Sequence, residues 1–131
     1  MLAAYLSQGW FDDANEVARG DGRLRAATAG ARVTIQQVVT GGPDGDVPYW
    51  VRVDDGSVET GPGRAAAPDA TVSQSYATAA ALSRGELSVE DALLAGRARI
   101  TGDVAALVRH QTALLHVATA LDHVRARTTY A

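Results

Sequence analysis

The stretch LLAGRARITGD, residues 93–103, decides the fold. It runs the end of a helix into Gly96, fits in a short alternating segment, meets Gly102 and at once presents Asp103, a helix-capping side chain. Within it Ala98 and Ile100 point one way, and Arg97, Arg99 and Thr101 the other. That period of two marks a half-buried strand. So short a strand is not stable alone, and the glycines splice it between two helices so that it can join a sheet made elsewhere.

The other strands lie upstream. RVTIQQVVT puts Val33, Ile35, Gln37 and Val39 on one face, unless a bulge at the two glutamines shifts the register. After a GGPDGD turn, VPYWVRVDDG sets Val47, Tyr49, Val51 and Val53 on one face, with Trp50 and Arg52 on the other. Asp54-Asp55-Gly56 signals a hairpin and SVETG a short return strand. Residues 61–68 read as an irregular loop, and DATVSQS then alternates Ala70, Val72 and Gln74 against Thr71, Ser73 and Ser75.

The helices flank this set. Ser7 reads as an N-cap, with Leu6 and Phe11 at the spacing of a hydrophobic staple, and that helix ends near Gly20. GDGRLRAATAG reads as a glycine-bounded connector. Ser75 caps a helix over residues 76–84, and Ser88, paired with Asp91, caps the next. Asp103 opens one long final helix whose apolar stripe is Val104, Leu107, Val108, Leu114, Leu115, Ala118 and Leu121. These elements predict a single α+β domain over residues 1–131: one sheet, its apolar face under helices and its polar face toward water.

Composition narrows function mainly by exclusion. The 131 residues are 47% hydrophobic with a net charge of −3, and no apolar run approaches a membrane span. Nothing here calls for nucleic acid or a constitutive membrane anchor as partner. The N-terminal MLAAYLSQGWF lacks the basic region of a signal peptide, so the expected location is cytoplasmic. There is no cysteine, hence no thiol nucleophile and no thiolate metal site. There is no lysine, hence no Schiff base and no Gly-Lys-Ser/Thr phosphate loop.

Residues 69–111, DATVSQSYATAAALSRGELSVEDALLAGRARITGDVAALVRHQ, resemble the sterol carrier protein 2 (SCP2) domain family. The shared features are a strand opening Asp-x-Thr, a helix closing on a basic residue and glycine, a helix closing on glycine, and a basic-flanked strand ending Thr-Gly-Asp before the last helix. The N-terminal YLSQGWFDDANEVARGD is similar to the opening helix of bacterial members. The resemblance implies a five-stranded sheet with helices on one face and an apolar tunnel between them. It implies binding of fatty acids, acyl-CoAs, sterols or related lipids without catalysis and without a cofactor. The chain departs from the family in two ways. It carries no peroxisomal targeting tripeptide at Ala131, which fits a standalone bacterial member, and its basic positions are all arginine.

The expected ligand-lining positions are Val33, Ile35, Val51, Val53, Val72, Gln74, Ile100, Val104, Leu107, Val108, Gln111, Leu115 and Ala118. Each apolar one is equally readable as core filler. Gln37, Gln74 and Gln111 either bond backbone or each other or lie at the rim, or one or more of them line a cavity and orient the polar end of a ligand. His116 and His123 share a helix face but stand about 10 Å apart, so with His110 they read as solvated histidines and no metal site is expected. Asp12-Asp13 and Asp54-Asp55 fall in a helix opening and a hairpin turn, and no nucleophile elbow is present. Trp50 marks a partner or homodimer contact, or else is covered by the N-terminal helix or connector. Two functions lead: a non-catalytic carrier of an apolar ligand, or a module of the same fold with a filled core that dimerises or docks on a partner enzyme; an enzyme acting on an apolar substrate ranks last, because no catalytic set is recognisable.

Overall fold

A computed structural model describes residues 3–43, 45–124 and 127–129; Asp44 of the expected turn lies outside them. A two-residue strand β1 (Ala3–Ala4) leads into α1 (Gln8–Arg19). Then come α2 (Gly22–Ala27), β2 (Arg32–Gly42), β3 (Gly45–Asp54), β4 (Ser57–Pro62) and β5 (Ala70–Ser75). The second half holds α3 (Tyr76–Ser83), α4 (Val89–Leu94), β6 (Ala98–Gly102), α5 (Val104–Arg109), α6 (Gln111–Asp122) and β7 (Thr128–Thr129). Strands β1 and β7 pair in parallel and bring the two ends of the described chain together.

The main sheet has five strands in the order β4-β3-β2-β5-β6. Its β2–β3 and β3–β4 pairs are antiparallel hairpins, β2 and β5 run parallel, and β6 returns antiparallel on β5. The parallel pair requires the chain to cross from the β4 edge back to β5. Gln36 tethers that crossing: on the face opposite Ile35 its amide bonds the carbonyl of Gly63 and the N–H of Ala65. Asp69 finishes it, its carboxylate accepting the Thr34 N–H at 2.7 Å. This is what the Asp of the Asp-x-Thr opening does.

The opening stretch behaves as its glycines require. Gly96 takes a φ of +71°, and the Arg97 N–H reaches back to the Ala92 carbonyl while that of Gly96 bonds Leu93, a Schellman stop for α4. Gly102 has a φ of +94°, and a Cβ there would stand 2.9 Å from the Asp69 carbonyl oxygen. Only glycine lets β6 end so close to the start of β5. Ser7, Ser75, Ser88 and Asp103 all cap as expected, each side chain accepting an N–H three residues on.

Two expectations about helices are corrected. The connector after Gly20 contains a helix, α2, capped by Asp21 and anchored by buried Leu24. The single final helix is two, divided at His110, where φ is −106° and ψ 17°. The side of α6 that meets the protein also differs. It packs on α1 and α2 and buries Ala113, Val117 and Ala120, with Val124 following in the same phase. Small side chains let helices approach closely, so the stripe of Ala113, Val117 and Ala120 faces inward, while Leu114 and Leu121 are half-buried and Leu115 is exposed.

Candidate ligand-binding site

The inner face of the sheet is built by the period of two. Val33, Ile35, Val39, Tyr49, Val51 and Val53 are buried there. Above Tyr49 lie Trp10 and Phe11 of α1, with ring centroids 6.1 and 5.6 Å from its own. Val33, Ile35, Val51 and Val53 are thus enclosed in this half of the sheet. Burial pushes the Tyr49 phenol up to about 12.

The other half is less covered. Register places Gln37 opposite Val72 and Val72 opposite Ile100, one row across β2, β5 and β6. All of these side chains are half-buried, as are Leu107 of α5 and Leu114 of α6. Gln74, one row on, is buried and donates from Nε2 to the Gln37 Oε1 at 3.1 Å. The two inward glutamines therefore bond each other, and no bulge interrupts them.

The helical members of the expected site are placed otherwise. Val104, Val108, Gln111, Leu115 and Ala118 are all exposed, Val108 at 62% and Leu115 at 65%. They are spaced four, three, four and three apart, but on α5 and on α6 alike they point outward. The expectation that Gln111 interrupts a buried stripe is thus corrected, because α6 turns its alanines to α1 and α2. Val89, Leu93 and Leu94 of α4 are exposed as well. Leu114 and Leu121 belong to the expected stripe but not to the expected lining positions, and both are half-buried against the core.

Trp50 lies on the outer face, over Gly61, with the Arg52 guanidinium 5.1 Å from its ring centroid. Elsewhere, an open depression of about 810 Å³ where α1 meets α2 is lined by Glu16, Val17, Asp21, Arg23, His123 and Arg127 among others. Among the described residues no three of His, Cys, Asp and Glu cluster to hold a metal. No helix among them is long and apolar enough to cross a membrane.

A mixed five-stranded sheet with helices over one face is the geometry that the Asp-x-Thr and Thr-Gly-Asp segments stitch together. Residues 14–115 match the family model described as the SCP-2 sterol transfer family. The chain belongs to that family. Solved relatives share the fold at low identity. A conserved hypothetical protein of Thermus thermophilus aligns with a TM-score of 0.74 at 17% identity, covering 94% of this chain and 93% of its own. A crystal structure of sterol carrier protein 2 gives 0.74 at 17%, over 90% and 97%. A palmitated SCP2-like protein of Aedes aegypti gives 0.58 at 22%, over 85% and 95%. No curated protein sequence matches this chain significantly. Set in this family, the half-covered row on β5 and β6 is the candidate site.

Proposed function

We propose that the protein binds an apolar lipid against the inner face of β5 and β6 and carries or presents it without altering it. The incomplete cover over that part of the sheet carries the reading: Val72 and Ile100, and Leu107 of α5, which packs on β5, are all left half-buried. A ligand that completes the burial recovers about 0.8 kcal/mol per methylene, roughly 10 kcal/mol for a dodecyl chain before association costs. Fatty acids, acyl-CoAs, sterols and related lipids have that surface, and membership of a sterol transfer family supports the same class. In this reading residues 1–131 act as one lipid-binding domain in the cytoplasm, with its mouth bounded by the apolar outward face of α5.

A second reading is favoured by the exposure of Val108 and Leu115. Exposed apolar side chains on successive helices are also what a second copy or a partner enzyme would cover. Native mass spectrometry of the protein purified from cells separates the two. Co-purified lipid supports the carrier, whereas a ligand-free dimer supports the interaction module.

A further inference from the structure

We propose that the free edge of β6 takes an added strand from an acidic, extended segment of a partner protein. The proposal stands apart from the carrier reading, since it uses the backbone edge and the outer face of the sheet.

The two edges of the sheet are finished differently. At the β4 edge the Asn15 amide takes the place of a strand. Its Oδ1 accepts the Thr60 N–H at 2.8 Å, and its Nδ2 donates to the Thr60 carbonyl at 2.9 Å. At the β6 edge the Asp103 N–H bonds the Asp69 carbonyl, which fixes the phase of the β5–β6 ladder. Antiparallel alternation then turns the backbone of Arg99 and Thr101 toward β5, and that of Ala98, Ile100 and Gly102 away from it. Among the described residues no backbone group of a helix or loop bonds those three. Ala98 is buried, but Ile100 is half-buried, and Gly102, which has only backbone to show, is exposed. Such an edge is a template for another strand.

Charge selects the occupant. Residues 33–42 of β2 and all of β5 carry no charged side chain, so Arg99 of β6 and Arg97 just before it dominate this half of the sheet. Arg32 and Arg52, toward the other edge, pair with Asp54 and Glu59. Arg97 and Arg99 are exposed, and among the described residues neither has an ion pair. Asp103, the nearest acid in sequence, is held by the Ala106 N–H and by Arg109. A second copy pairing edge to edge would gather four unpaired arginines, which opposes self-association. A segment of alternating acidic and apolar residues instead pairs its acids with the arginines and extends the inner row through Ile100.

The test is fluorescence polarisation of a labelled peptide of alternating glutamate and valine against the full chain. The wild type should bind it and should not bind a lysine–valine peptide. Arg97→Glu with Arg99→Glu should weaken the acidic peptide about tenfold or more, the worth of two exposed ion pairs, and admit the basic one. Arg97→Gln with Arg99→Gln should weaken the acidic peptide as well, and replaces the reversed variant if that fails to fold. Methylating the peptide nitrogens at every second residue should abolish binding in one phase and spare it in the other, because a strand turns alternate N–H groups to its neighbour. Loss in both phases or in neither, equal binding of the two peptides, or no binding at about 1 mM overturns the proposal. A wild-type dimer that protects the Ile100 and Gly102 amides from hydrogen exchange puts a second copy on the edge and overturns it too.

Discussion

Replacing Gln36 with leucine should cost far more than the same change at its neighbour Gln37. Gln36 is 3% exposed, and its Nε2 lies 3.0–3.1 Å from the carbonyls of Gln37, Tyr49 and Gly63. Its Oε1 accepts the Ala65 N–H at 2.8 Å. Two hydrogens serve three acceptors, so the side chain makes at most about three full bonds, worth roughly 3 kcal/mol. Once released, the half-buried loop groups of Gly63 and Ala65 can turn to water, which reduces the loss to about 2 kcal/mol. For a chain of this length that lowers Tm by roughly 8 °C. Gln37 is half-buried and makes one side-chain bond, to Gln74, so Gln37→Leu should cost about 1 kcal/mol or less. Urea unfolding of both variants measures the difference. Equal losses, or a loss below about 0.5 kcal/mol at Gln36, would refute the role of this residue in holding the crossing to β5.

Other consequences are sharp as well. Val117→Ala should destabilise by about 2 kcal/mol and Leu115→Ala by less than about 0.5, since Val117 is buried and Leu115 exposed; denaturant midpoints of the pair check the phase of α6. Gly61→Ala puts a Cβ 2.6 Å from Trp50 Cζ2 and should cost roughly 1–3 kcal/mol. Much of that loss should return when Trp50 is shortened to leucine in a double-mutant cycle. Tyr49 ionises near 10 when unfolded and about 12 when folded, so its neutral form stabilises the fold fully below pH 10. That contribution, about 3 kcal/mol, is lost as pH rises from 10 through 12, and Tyr49→Phe should flatten this part of the stability profile.

The strands could be read from the sequence because a period of two assigns a side chain to a face whatever its size. That rule puts Ile35, Val72, Gln74 and Ile100 on the inner face, where Ile35 and Gln74 are buried and Val72 and Ile100 half-buried. The caps were equally readable, since Ser7, Ser75, Ser88 and Asp103 act within one turn. The final helices were not. Hydrophobic size favours the stripe through Val108 and Leu115, while the packing partner of α6 is set by α2, a six-residue helix that a glycine-flanked sequence conceals. With that partner unseen, alanine and valine at 113, 117 and 120 gave no reason to be preferred. The strands β1 and β7, two residues each, carry too little pattern to be read at all.

The central claim is that an apolar ligand enters the half-covered row on β5 and β6. The chain has two isoleucines, Ile35 in the closed core and Ile100 in that row, so δ1-methyl labelling gives a two-signal spectrum. Titrating 1-dodecanol into the labelled protein should move the Ile100 methyl saturably, with a much smaller shift at Ile35. If both methyls stay still while the dodecanol binds, the ligand lies elsewhere and the row on β5 and β6 is simply part of the fold.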